Sequence, residues 1–482
     1  MRFGVRQKNV LVERLESRRL LTASFIFEPH QIDLTSRGSF GQARSAYSAD
    51  LDGDGDVDVV SVSKTEATVA WHENVDGKGT FRPQPRLIST QATNADFVIA
   101  ADVDSDGDID VVYASAKENT IAWFENGGGG SFGDAKLISA DSQSPRSIQA
   151  ANLDGDQNLD LLVASHGDNT IAWFEYEDSL RTFGSRHVIS NEVRGASSVS
   201  AADVDADGDT DVLVVSFTDG EIRWFENQTG SGDFAEGKVV LPANPNSKSY
   251  FATTADFDGD GVLDVVSASW GDGAVSWQRQ VAGEFASPEV IMSNLSRRVL
   301  TPRIDSVATA DLDGDGDLDV IAADEFGHHT YWSENLGPMN GFGPQLPVGP
   351  SSEMTGGSVE MVDLDGDGDL DILAASDHEG IIAWHENRLI GDSNNDGVFN
   401  NVDLIVVFTA GEYFDDIPGN STFEEGDWNL DGDFNSSDLI LAFQARTYNV
   451  AASHTATKYA AAVDSLFERD ELQSRHSARR AS

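Results

Sequence analysis

The chain of 482 residues carries 82 acidic against 32 basic side chains, a net charge of -50, and no cysteine. That surplus of negative charge excludes nucleic acid and anionic membranes as principal partners and makes cations the natural counterpart. Without cysteine there is neither a disulfide nor a thiolate metal site, no apolar run is long enough to span a membrane as a helix, and a hydrophobic fraction of 39% still permits a buried core.

Residues 1–24 form a leader with basic residues and leucines but without the apolar centre of an ordinary secretory signal. Within it, LESRRLLTA at residues 15–23 resembles the LEPR-xLL motif of exported planctomycete proteins, with Ser17 where proline usually stands. The resemblance implies export, to the cell surface or beyond it; an amphipathic leader with no address is the alternative. Immediately afterwards FIFEPHQIDL, residues 25–34, reads as a strand without a neighbour of its own.

From residue 50 a pattern D-x-D-x-D-G-x-x-D recurs seven times, at intervals of 52, 50, 51, 53, 55 and 52 residues. Each copy has a tryptophan 21 residues after its first position: Trp71, Trp123, Trp173, Trp224, Trp277, Trp332 and Trp384. A strand precedes each loop, a β-branched hairpin follows it, and Phe81, Phe132, Phe183, Phe234, Phe285 and Phe342 mark a fourth strand in the first six copies. Four short strands in about 50 residues predict a propeller blade, so residues 25–388 are expected to form a mainly β, seven-bladed β-propeller of four-stranded antiparallel blades. A β-solenoid is the competing architecture. The seventh copy lacks a phenylalanine strand and the N-terminus has one to spare, which favours a ring closed by the N-terminal strand. The tryptophans are expected to pack between blades, because propeller blades bury both faces.

Carboxylates at positions 1, 3, 5 and 9 of such a loop can converge on one hard cation, and the oxygen-only donor set suits Ca²⁺. The candidate ligands are Asp50, Asp52, Asp54 and Asp58; Asp102, Asp104, Asp106 and Asp110; Asn152, Asp154, Asp156 and Asp160; Asp203, Asp205, Asp207 and Asp211; Asp256, Asp258, Asp260 and Asp264; Asp311, Asp313, Asp315 and Asp319; and Asp363, Asp365, Asp367 and Asp371. Position 6 is glycine in six copies, and position 7, which ranges from aspartate to Asn158 and Val262, is expected to offer only its carbonyl. The third copy departs with Asn152 and Gln157, so its site is expected to be the weakest. These repeats resemble the FG-GAP or VCBS family of integrin α-subunit propellers and bacterial surface proteins. The resemblance implies structural calcium in up to seven blade loops and ligand binding at a face of the ring.

Residues 389–449 change pattern to two twelve-residue loops whose starts lie 35 residues apart. The first places Asp392, Asn394, Asp396, Asn400 and Asp403 at positions 1, 3, 5, 9 and 12; the second places Asp427, Asn429, Asp431, Asn435 and Asp438 there. Each runs into an apolar helix and no helix precedes the first. A duplicated calcium loop with only its exit helix resembles the type I dockerin, which implies two further calcium ions and a cohesin-like partner. A generic EF-hand pair is the alternative. Residues 450–482 read as a helix, with Tyr459, Val463, Leu466 and Leu472 as packing positions, and a basic tail.

Two functions follow. The first is an extracellular, monomeric calcium-binding scaffold that recognises a polysaccharide or a surface protein and docks through its dockerin. The alternative is a polysaccharide lyase or glycoside hydrolase, which needs residues that break the sevenfold pattern. His72, His385, His328 and His329 are the departures in view; with no partnered acid or nucleophile they read as exposed histidines at strand ends, so no catalytic residue is assigned.

Overall fold

The computed structural model describes residues 25–32, 43–293, 303–324, 329–337, 340–348, 357–376, 380–415, 417–445 and 448. The LEPR-xLL-like stretch, His328 and the helix expected after residue 450 lie outside the described residues. The described residues fall into two compact units, one within 29–387 and the other made of 25–28 with those from 388 to 448.

The larger unit is a seven-bladed propeller of four-stranded antiparallel sheets. Its second strands explain why it must be layered: Asp58–Ser63, Asp110–Ser115, Asp160–Ser165, Asp211–Ser216, Asp264–Ser269, Asp319–Asp324 and Asp371–Ser376 are buried at every residue. Runs such as DVLVVS are apolar on both faces, as a strand covered by neighbouring sheets on each side requires. The first strands, among them Ala43–Ala49, Phe97–Ala101 and Pro145–Ala151, pack against one another in sequence around the ring, and the strand Ser358–Val362 of the seventh blade meets Ala43–Ala49 of the first. The ring is therefore closed. The seventh sheet takes its fourth strand from Phe25–Gln31, which pairs with Ile381–Leu389, as the spare N-terminal strand foretold. This removes two sheet edges at once.

All seven repeat tryptophans are buried. Trp71 of blade 1 packs with Val98, Val111 and Phe132 of blade 2, and Trp384 of blade 7 with Ala46, Val59 and Phe81 of blade 1. Phe183 lies within its outer strand, Thr182–Ser190, as expected, but four others sit earlier: Phe81, Phe132, Phe234 and Phe342 form isolated bridges to Asn74, Asn126, Asn227 and Asn335, and the outer strands begin a few residues later. Glycines of the following blade let the tryptophan rings seat. A Cβ on Gly130 would lie 2.3 Å from the Trp71 ring, at a φ of +69° that disfavours any side chain. Gly130→Ala is accordingly expected to cost about 3 kcal/mol, overpacking and left-handed backbone together, read as a lower urea midpoint with an unchanged slope.

The smaller unit is built from helices α1 (Asn401–Ala410) and α2 (Ser436–Ala445) and a 3-10 turn at Phe423–Glu425. Helices of ten residues are marginal alone. They are held by a core in which Phe399, Leu404, Trp428, Phe434 and Leu439 are buried together, and by a capping box in which Asn400 and Asp403 satisfy the first turn of α1.

Candidate functional site

Each acidic loop joins the first strand of a blade to the second. In six copies the position 1 aspartate accepts two backbone N–H groups of its own loop, as Asp50 does from Gly53 at 2.8 Å and Gly55 at 3.0 Å. In the third, Asn152 accepts only from Gly155. Position 6 has φ between +86° and +99° in the six glycine copies, and Gln157 is forced to +80°. A Cβ at Gly55 would meet nothing, so backbone conformation rather than space calls for glycine there.

Positions 1, 3 and 9 converge: carboxylate oxygens of Asp50, Asp52 and Asp58 lie within 4.8 Å of one another, as do those of Asp102, Asp104 and Asp110 and of Asp203, Asp205 and Asp211. Position 5 is exposed, Asp54 accepting from the Asp56 N–H, while in the second copy Asp106 groups with Asp104 and Glu125. Position 9 has a second task. Asp58 accepts from Asn74 N–H at 2.8 Å and Leu51 N–H at 3.1 Å, tying the loop to the third strand of the sheet. The bond to the third strand recurs in all seven blades.

The loops fit a hard cation on two counts. Asp52, Asp104 and Asp205 each have a buried carboxylate oxygen without a hydrogen-bond partner among the described residues. Burial also raises Asp58, Asp110, Asp160 and Asp319 to about 7, Asp371 to about 8 and Asp211 and Asp264 to about 6, against the backbone donors that oppose it. A bound cation would relieve both costs. Two loops already hold an internal cation. In blade 5, Arg279 replaces the glutamate that the other blades carry at this point, and its guanidinium pairs with Asp258. In blade 2, Arg181 reaches Asp104 at 3.0 Å.

The residue after that glutamate is a site the sequence reading missed. Asn74 and Asn126 donate through Nδ2 to the Leu364 and Leu51 carbonyls of the preceding blade, and Asn227, Gln280, Asn335 and Asn387 repeat the tie. Its signal was present, 24 residues after each loop start, with Tyr176 as the exception.

In the smaller unit, Asp392 accepts from Asp396 and Gly397, Asp403 from Ser393, Asn394 and Asn400, and Asp427 and Asp438 repeat this set with Asp431, Gly432, Asn429 and Asn435. Burial raises Asp403 to about 6 and Asp438 to about 7. Trp428 Nε1 bonds Ser393 Oγ at 2.9 Å, joining the two loops.

His72 and His385 are not exposed. Both are buried, His72 against Ser61 Oγ at 2.9 Å, because the strands that carry them are covered on both faces. Burial pushes His385 down to about 3, so it is neutral and part of the core.

The first strands enclose a central channel with a cavity of about 360 Å³. Inside it Glu360 accepts from Ser48 N–H at 3.0 Å and Ser48 Oγ at 2.8 Å, and burial raises it to about 7. The folded chain thus holds a proton here that the unfolded chain has released, and the stability present below about pH 4.5 is lost as pH rises through 7. Glu360→Gln, whose amide can still meet Ser48, should therefore raise the melting temperature at pH 8 and not at pH 5, an advantage of about 1–2 kcal/mol, read by calorimetry at both values.

Six overlapping segments, residues 50–113, 102–163, 152–214, 203–267, 256–322 and 311–374, match the FG-GAP-like repeat. No curated protein matches the sequence. Among solved structures, BBS1N in complex with ARL6DN aligns in a lead-soaked crystal with a TM-score of 0.51 and in a mercury-soaked one with 0.50, each at 9% identity over 76% of this chain and 97% of that chain. Virginiamycin B lyase from Staphylococcus aureus aligns at a TM-score of 0.47 and 15% identity, over 76% of this chain and 100% of that one. At such identities the likeness to BBS1N is one of fold alone.

Proposed function

This chain belongs to the FG-GAP-like repeat family, and we propose that it is an exported recognition scaffold: a calcium-stiffened propeller that binds a glycan or a surface protein, with a dockerin-like module that docks onto a cohesin-like partner. One observation carries the recognition reading. The sevenfold pattern is kept at loops, tryptophans and interblade ties, and is abandoned at the first-strand residues facing the channel. Framework positions repeat because every blade needs them; a ligand-facing ring has no such obligation.

Calcium would be held by positions 1, 3, 5 and 9 of the blade loops and by Asp392, Asn394, Asp396, Asn400, Asp403 and their counterparts from Asp427 to Asp438 in the smaller unit. When bound it neutralises crowded carboxylates and takes the place of the absent disulfides. Copies two, three and five are the weak sites, the third for want of a carboxylate and a glycine, the others because Arg181 and Arg279 compete. Arg279→Glu is expected to add about one tightly bound calcium per chain, counted by equilibrium dialysis; an unchanged count would remove arginine as the competitor.

The dockerin reading is supported by exposed Val402 and Ile405 on α1 and Ile440 and Phe443 on α2, which give the duplicated helices an apolar outer surface. Its test is titration of the full chain with a type I cohesin domain in calcium and in chelator, binding in calcium alone being the expected result. For the scaffold itself, the test is retention on an array of acidic, sulfated and neutral glycans and on surface proteins. Formation of new reducing or unsaturated ends would replace recognition with catalysis.

A further inference from the structure

At the end of the channel remote from the acidic loops, one residue in the first strand or just before it breaks the repeat in six of the seven blades. It is Arg44 in blade 1, Asp96 in blade 2, Arg146 in blade 3, Ser197 in blade 4, Tyr250 in blade 5 and Asp305 in blade 6. In five blades the strand register slips at this residue, between Ala43 and Ser45, Pro145 and Ser147, Ala196 and Ser198, Ser249 and Phe251, and Ile304 and Ser306. A bulge re-aims a side chain without disturbing the sheet that carries it, and here all of these residues line the channel cavity.

The charges at this end are uneven. Arg44 and Lys64 share one carboxylate, Asp96, at 3.9 and 3.0 Å, and Arg44 also donates to the Tyr250 hydroxyl across the channel at 3.4 Å. Arg146 has neither an ion pair nor a hydrogen bond among the described residues, although its Nε is buried. Arg146 is only half-buried, so its terminal nitrogens stay open to the channel with their fork unfilled, and a planar oxyanion can fill that fork with two parallel bonds. Nearby, burial and the Arg146 charge hold His166 below the ordinary histidine range, so it adds no competing cation near neutral pH. The remaining wall offers the hydroxyls of Ser200 and Thr253, of the kind that meet sugar hydroxyls, beside the carboxyl groups of Asp305 and Glu360. The cavity volume lies in the range of small-ligand sites.

We propose that this end of the channel binds a saccharide bearing a carboxylate or a sulfate, with Arg146 as the anchor of the anionic group. The inference rests on the recognition reading and narrows it to one site and one ligand class. The acidic loops begin at the opposite end of the same strands, roughly 20 Å away at strand rise, and of the acidic residues lining the cavity Asp96 is paired with Arg44 and Lys64 and Asp305 with Arg303, which leaves Arg146 as the basic group with an open fork.

The test is calorimetric titration of the full chain in calcium with trigalacturonate, with its fully methyl-esterified form, which keeps the sugar skeleton and loses the charge, and with a sulfated galactose trisaccharide. Either acidic trisaccharide should bind about tenfold or more tightly than the ester. Arg146→Met should remove that margin with an unchanged melting temperature, and Arg146→Lys should retain part of it; the two acidic probes separate carboxylate from sulfate. Equal binding of the ester, wild-type affinity in Arg146→Met, or no binding of either acidic probe overturns the proposal. If neutral glycans or surface proteins are retained while these probes are not, the site is wrong and recognition stands. Retention of no glycan and no protein overturns both.

Discussion

Stripping calcium from the full chain is expected to lower its melting temperature by at least about 10 °C, and restoring calcium, not magnesium, to return it. Each site occupied at a hundredfold excess over its dissociation constant contributes about 2.7 kcal/mol, so several blade loops acting together outweigh any other local feature. The direction follows from the geometry. Without the ion, Asp50, Asp52 and Asp58 keep their oxygens within 4.8 Å of one another, and the unfolded chain escapes that crowding by separating them. Magnesium prefers rigid octahedral coordination and keeps its waters, which a loop offering carboxylates at alternating positions does not suit. Differential scanning calorimetry of chelator-treated, calcium-restored and magnesium-restored protein reads all three states, and a melting temperature indifferent to the chelator would sink the structural role of the metal.

The ring was legible because its framework is dense and strictly spaced. Tryptophan follows the loop at one fixed distance in every copy, and the surplus strand Phe25–Gln31 pairs in the blade that lacks one. Features whose meaning lies between blades were not legible. Asn126 has its carbonyl partner 75 residues back, at Leu51, so no local pattern announces the tie, and Gln280 and Tyr176 blur its identity. His72 and His385 stand out in sequence because they vary among blades, yet the strands that hold them are buried on both faces and their variation is a matter of core packing. Arg279 was hidden for a related reason: only the fold brings the third strand's end beside the loop that begins 23 residues earlier. The first-strand bulges are invisible to period-2 reasoning, since a one-residue slip in register is what creates them.

Asp52→Asn and Asp58→Ala, two substitutions in one loop, are expected to behave differently in calcium and in chelator. Asp58 is fully buried and accepts the N–H groups of Leu51 and Asn74. Its loss leaves two backbone donors without an acceptor, at a cost of about 3–5 kcal/mol, and this penalty persists when the metal is gone. Asp52 has no such duty: its Oδ1 is buried without a hydrogen-bond partner, and it is crowded by Asp50, Asp54 and Glu73. Burial first, and those like charges after it, already hold its carboxyl above the ordinary range. Asp52→Asn therefore relieves repulsion in chelator, raising stability by up to about 1 kcal/mol, and removes a charged ligand in calcium, lowering it by a comparable or larger amount. Urea denaturation of both variants in both buffers gives four differences from wild type. A change of sign for Asp52→Asn with a loss in both buffers for Asp58→Ala separates the residue that serves only the ion from the one that also braces the sheet. A loss of equal size for both variants in both buffers would mean that the loop is held by its hydrogen bonds alone and that the carboxylates are not there for a cation.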